Sequence, residues 1–168
     1  MRAMILAAGL GSRMRPLTDH CPKPLLDVAG KPLIVRHIER LSAAGFSEIV
    51  INTAHLGQMI RERLADGAEW NVHIVYSDEA QPLETAGGIV NALPLLGDAP
   101  FLVLNGDIWC DFPLGSLHKV LQKGLGYLVL VNNPDHNPAG DFVLNAGRLA
   151  PRGNGRGYTF SGLSVLHP

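Results

Sequence analysis

Residues 4–26 read "MILAAGLGSRMRPLTDHCPKPLL". A short apolar run passes directly into Gly9 and Gly11, as a buried strand passes into a tight turn. A dinucleotide fingerprint would place a third glycine at position 14, which is Met14. Arg13 follows Gly11 by two residues instead, and Lys23 stands between Pro22 and Pro24. A glycine turn lets a ligand approach backbone N–H groups closely. An arginine forks onto two phosphate oxygens, and flanking prolines hold a lysine in a narrow range of directions. A lone loop cation is often only solvated. Arg13, Arg15 and Lys23 in one glycine loop after the first strand favour a triphosphate site. "AGKP" (29–32) is not a P-loop, because Lys31 is followed by Pro32 rather than Ser or Thr.

Working outward, strands are expected at 3–7, 48–53, 72–77, 101–107 and 126–131. Helical spacing of apolar residues falls at 33–46, 56–67 and 85–96, the last cut short near Pro94, and residues 113–123 also look helical. After Asn132 the character changes: strands at 141–144 and 158–166 flank a Gly-, Pro- and Asn-rich loop. Its segment 151–157, "PRGNGRG", has the composition of a mobile connection. Alternating strand and helix imply an α/β fold, a mostly parallel Rossmann-like sheet with helices on both faces. Right-handed crossovers give strand order 3-2-1-4, so strands 1 and 4 meet at the switch point. The loop "AGLGSRMR" and the tip "NGD" (105–107) should then face each other across one crevice.

The chain has 168 residues, 46% hydrophobic and 17% charged, with formal net charge −1. That supports one domain with a real core and gives no footprint for nucleic acid or membrane. Phosphate binding must therefore be local. Cys21 and Cys110 lack metal-ligand spacing and fit a reducing cytoplasm better than a disulfide framework. The N-terminal apolar run is too short for a signal-peptide core or a membrane span. The seven histidines show no ligand spacing and are read as structural.

The stretch "LAAGLGSRMRPLTDHCPKPLLDVAGKPLI" (6–34) resembles the signature of the sugar-1-phosphate nucleotidylyltransferases, with "PLETAGGI" (82–89) and "LVLNGDIW" (102–109) similar to that family's second and third motifs. The resemblance runs over essentially the whole chain. It implies a single nucleotidyltransferase domain, with a nucleotide-binding core at 1–132 and a sugar-binding β region at 133–168. It implies an enzyme whose substrates are an NTP and a sugar 1-phosphate, with Mg2+ as cofactor. By the same analogy Arg13 grips the departing pyrophosphate, Lys23 neutralises the α-phosphate and the attacking phosphate, and Asp107 holds the metal. Ala7, Ala8, Gly9, Gly11 and Ser12 would line the nucleotide. Glu79, Glu84, Thr85 and Gly87 would edge the base, and Thr85 can also cap a helix. Asn105, Gly140, Asp141, Ser161 and Gly162 occupy plausible sugar positions. Asp107 and Asp141 both also suit plain turns. A carboxylate at position 79 accepts hydrogen bonds from uracil or from guanine, so it does not choose between UTP and GTP.

Two points bear on the activity of these residues alone. The family holds its metal with a second aspartate from a Trp-x-Asp-Val-Gly-Thr-like segment. Residues 142–168 contain no Asp or Glu, and the sequence stops at "SVLHP", mid-architecture by the family's standard. Weak or absent turnover is therefore expected of this chain by itself, and a catalytically incomplete nucleotide-binding domain is the alternative of another class. Within the family, "NNPDHNPAGDFVL" (132–144) and "YTFSGLSVLHP" (158–168) look closest to the N-acetylmuramate 1-phosphate uridylyltransferases of bacterial cell-wall recycling, with mannose-1-phosphate guanylyltransferases second. A dinucleotide oxidoreductase fits poorly, since "NTAHLG" (52–57) carries no acid for a ribose.

Overall fold

The computed structural model describes residues 1–120, 124–151 and 155–168. Four parallel strands form the first half of the sheet: β1 (Ala3–Leu6), β2 (Glu48–Thr53), β3 (His73–Asp78) and β4 (Phe101–Asn105). Their order is β3-β2-β1-β4, with Leu6 paired to Asn52 on one side and to Asn105 on the other. The expected switch point between β1 and β4 is therefore present.

Strand alternation divides the core into two faces. Ala3 and Ile5 of β1 point to one side, with Ile49 and Ile51 of β2. There they meet Ile34, Ile38 and Leu41 of α1 (Leu33–Ala43) and Ile60 and Leu64 of α2 (Gly57–Leu64). Met4, Val50 and Val103 point to the other side, against Ala92 and Leu96 of α3 (Glu84–Leu96). Each fully buried Ile, Leu, Val or Met side chain here contributes about 2 kcal/mol. A helix on each face leaves only the carboxyl ends of the strands open, and the crevice forms there.

The antiparallel half is built on β8 (Gly157–Leu166). It pairs with β4 along Leu163–Leu166, with β5 (Gly126–Val131) on its other side, and at Gly157 and Tyr158 with β6 (Phe142–Asn145). β6 in turn pairs with β7 (Arg148–Pro151), a strand the periodicity did not signal. A register shift between Leu128 and Leu130 accommodates β5 along β8.

Three sequence expectations change. α3 does not stop at Pro94 but runs on to Leu96. Pro94 withholds an N–H from the Val90 carbonyl, but Val90 is 65% exposed, so water can serve that acceptor. The helix expected over 113–123 is a run of 3-10 turns at Leu114–Lys119, and 121–123 lie outside the described residues. The loop expected at 151–157 loses both ends to strands, Pro151 to β7 and Gly157 to β8, and 152–154 lie outside the described residues. No helix among the described residues is long and apolar enough to cross a membrane.

Candidate functional site

β1 ends at Leu6, and the chain turns through the glycine loop into a 3-10 turn at Ser12–Met14. Gly11 holds φ +63°, and a Cβ there would lie 2.9 Å from Thr18 Cγ2 and 3.1 Å from Lys23 Cβ. The loop is thus folded tightly back on the "PLTDHCPK" segment. Thr18, buried, donates from Oγ1 to the Gly11 carbonyl at 2.9 Å and fixes that turn. Lys23 opens a second 3-10 turn, Lys23–Leu25, seated by buried Pro24.

The tip of β4 is brought under the same loop by Gly106. Its N–H donates to the Leu6 carbonyl at 2.9 Å, and a Cβ at 106 would stand 2.6 Å from that oxygen. Only glycine permits the approach, and it sets Asp107 beside the loop. Lys23 Nζ and Asp107 Oδ2 are 2.6 Å apart, both side chains partly exposed. Arg13 is exposed and forms no ion pair among the described residues.

These groups line one cavity of about 470 Å³. Its lining includes the glycine loop from Ala7 to Ser12, together with Arg13, Lys23 and Asp107. Asn52, Glu79, Glu84, Thr85 and Asn105 also line it. Gly87 does not line it; that glycine packs on Leu83, where a Cβ would meet the Leu83 Cβ at 2.9 Å. Thr85 is the second residue of α3, so it does not cap the helix, whose N-cap position is Leu83. Glu84 enters the helix with φ +59°, a left-handed conformation unusual outside glycine.

Glu79 is buried, and both of its carboxylate oxygens are engaged. Oε1 accepts from Asn52 Nδ2 at 2.7 Å and Oε2 from the Leu83 N–H at 2.8 Å. Asn52 Oδ1 accepts from the Ala7 N–H at 2.7 Å. The sequence reading missed Asn52, because within "EIVINT" it looks like an ordinary strand end. A polar residue closing an apolar strand at the crevice was the available signal.

The remaining candidates sit apart from the cavity lining. Asp141 clips the segment after β5 to β8: Oδ2 accepts from the Phe160 N–H at 2.8 Å and Oδ1 from Asn137 Nδ2 at 3.0 Å. Gly140, at φ +67°, packs closely on β8, where a Cβ would stand 2.5 Å from the Tyr158 nitrogen. Ser161 is buried with no partner for Oγ among the described residues. Gly162 packs against the site's edge, its φ +80° and a would-be Cβ 3.2 Å from Asn105 Cβ and 2.6 Å from Ile108 Cδ1.

On α1, close to the Gly106–Asp107 tip, His37 is buried and its pKa is lowered to about 4, by burial first and then by the neighbouring Arg40 charge. It is neutral at physiological pH. Among the described residues no group of three or more His, Cys, Asp or Glu gathers as metal ligands. A divalent cation at Asp107 would take one carboxylate and complete its shell with phosphate oxygens and water. That donor set suits a hard cation such as magnesium.

Residues 2–142 match the family model described as nucleotidyl transferase. The chain is 54% identical to the N-acetylmuramate alpha-1-phosphate uridylyltransferase of Neisseria meningitidis, an alignment covering 100% of this chain and 76% of that protein. It is 43% identical to the mannose-1-phosphate guanyltransferase of Gibberella zeae over 81% of this chain, and spans 42% of that protein's length. A putative glucose-1-phosphate thymidylyltransferase from Bacillus anthracis superposes with TM-score 0.84 at 22% identity, covering 99% of this chain and 71% of that one. HddC from Yersinia pseudotuberculosis, solved with GMP-PN, gives TM-score 0.81 at 25% identity, covering 99% and 76%.

Proposed function

The chain belongs to the nucleotidyl transferase family, and we propose that it transfers a uridylyl group from UTP to N-acetylmuramate 1-phosphate. The observation that carries the chemistry is that Arg13, Lys23 and Asp107 line the same cavity as the glycine loop, with Lys23 Nζ 2.6 Å from Asp107 Oδ2. The substrate pair rests on the 54% identity to the Neisseria meningitidis enzyme of that name. A mannose-1-phosphate guanylyltransferase is the weaker alternative, at 43% identity or less over the shorter alignments.

In this reading a phosphate oxygen of the sugar 1-phosphate attacks the α-phosphorus in line. The new bond is oxygen to α-phosphorus; the bond broken joins that phosphorus to the bridging oxygen, which leaves with pyrophosphate. The nucleophile is already anionic, so no general base is needed. Catalysis is then alignment and charge neutralisation. Arg13, unengaged by carboxylates among the described residues, holds the pyrophosphate. Lys23 neutralises the α-phosphate and the incoming phosphate. Asp107 would hold magnesium, which when bound supplies further charge neutralisation at the phosphates.

We assign the nucleotide to residues 1–132 and the sugar to the strands of 133–168. Support for the second half comes from β8, which brings Gly162 against Asn105 and Ile108 at the cavity's edge. The two free cysteines, both half-buried, accord with a cytoplasmic enzyme, and the substrate pair with cell-wall recycling.

Calorimetry with UTP, GTP, CTP and dTTP in the presence of magnesium tests this. Selective UTP binding supports the reading, and transfer to N-acetylmuramate 1-phosphate, followed by pyrophosphate release, completes it. Selectivity for GTP would move the sugar to mannose. Absence of any nucleotide binding by a folded sample would overturn the reading.

A further inference from the structure

We infer that Asn52 is a positioning residue that sets the spacing between the phosphate-binding loop and the base-binding wall, so that UTP is held as one rigid unit. This rests on the nucleotide reading above. Asn52 is 3% exposed at the end of β2, between β1 and β3. Its side-chain oxygen accepts from the Ala7 N–H, where the glycine loop begins. Its nitrogen donates to Glu79 Oε1, and Glu79 Oε2 accepts from the Leu83 N–H, where α3 begins. Three bonds of 2.7–2.8 Å thus join the start of the glycine loop to the start of α3.

The chemistry of this chain of bonds is directional. Ala7 N–H can only donate, so the Asn52 oxygen must face it and its nitrogen must face Glu79. Leu83 N–H also only donates. Position 79 is therefore approached by two donors, and a carboxylate satisfies both where an amide cannot. Gly88 of α3 lies directly over the link: a Cβ there would be 2.7 Å from Glu79 Oε1 and 2.8 Å from Asn52 Nδ2. The link is buried and crowded, so it cannot relax around a mismatch without moving a wall. A base and a triphosphate each bind their own wall. Only a ligand spanning both is sensitive to the distance between them.

The test is a pair of single variants and their combination. In Asn52→Asp an acceptor faces the Glu79 carboxylate. In Glu79→Gln a donor faces either Asn52 Nδ2 or the Leu83 N–H. In the double variant the new carboxylate at position 52 accepts from the Ala7 N–H and from the new amide nitrogen at position 79. The new amide oxygen accepts from Leu83, so all three bonds return. Calorimetric UTP affinity should fall about tenfold or more in each single variant and recover in the double one. Affinity for inorganic tripolyphosphate, which touches only the loop, should stay within about twofold in the double variant, which keeps the net charge of the unaltered chain. Melting curves identify a single variant that fails to fold, and recovery of both folding and UTP affinity in the double variant still supports the link. Two folded single variants with unchanged UTP affinity overturn the inference while leaving the nucleotide reading intact. A folded double variant as weak as the singles also overturns it, since position 79 would then act on the base directly. An unaltered chain that binds no nucleotide overturns both.

Discussion

Lys23 Nζ lies 2.6 Å from Asp107 Oδ2, although the two residues are eighty-four positions apart and belong to different strand-end loops. The cation assigned to the α-phosphate and the carboxylate assigned to the metal neutralise one another before any ligand arrives. Both side chains are partly open, 27% and 40% exposed, so water screens the pair. Its contribution to stability is on the order of 1 kcal/mol or less. In the proposed reading its contribution to binding is a competition, in which phosphate draws Lys23 away and the metal displaces Lys23 from Asp107.

Lys23→Met is therefore expected to act in opposite directions on two ligands. Magnesium alone, followed by calorimetry or with Mn2+ as a spectroscopic stand-in, should bind the freed Asp107 carboxylate more tightly than in the unaltered chain. UTP with magnesium should bind more weakly, by about tenfold or more. Parallel changes in both affinities would show that the pair is not a competition.

Arg13→Ala removes a guanidinium that no carboxylate among the described residues engages. The melting temperature should stay nearly unchanged, because no such ion pair is lost. UTP affinity should fall by roughly 10- to 100-fold, the scale of one desolvated charge-assisted contact. Affinity for UMP, which lacks the outer phosphates, should fall far less. Equal losses for UTP and UMP would place Arg13 away from the pyrophosphate.

The strand order was legible because each apolar run is separated by a helical stretch, and β-branched "EIVINT" coincides with β2 residue for residue. The glycine loop with Arg13 and Lys23 was legible as a turn carrying cations, and Asp107 was singled out through the family resemblance. What the sequence hid were relationships that depend on three dimensions. Glu79 was legible as a carboxylate, but its bonds to Asn52 and to the Leu83 N–H were not. Asp141 was legible as a loop carboxylate, but its bonds to Asn137 and the Phe160 N–H were not. The strand expected at 158–166 was legible, but its direct pairing with β4 was not. Local pattern reports which face is apolar; it does not report which neighbour a long-range strand will choose.

Gly106→Ala tests the close approach that carries Asp107 to the loop. A Cβ at 106 would stand 2.6 Å from the Leu6 carbonyl oxygen, which is backbone and cannot swing aside. The β4 tip must retreat from β1, weakening the Gly106 N–H bond to that carbonyl. A loss of about 1–3 kcal/mol in stability is expected, together with weaker UTP binding in the presence of magnesium. A variant with normal stability and UTP affinity would show that the two strand ends need not touch.

His37 gives the chain a specific acid sensitivity. Its pKa is lowered to about 4 by burial, reinforced by Arg40, whereas in the unfolded chain it titrates near the ordinary value of 6.5. Between those values the unfolded state binds a proton that the folded state refuses. Stability from this group is thus fully present above about pH 6.5 and declines as pH falls toward 4, by about 3 kcal/mol at most. Melting temperature measured from pH 7 to pH 4.5 should fall more steeply in the unaltered chain than in His37→Leu, which has nothing to protonate there. The Leu variant keeps the volume of the site while removing two buried ring nitrogens that lack partners among the described residues. Parallel slopes for the two proteins would mean that acid unfolding is driven elsewhere and that His37 is not held neutral by the fold.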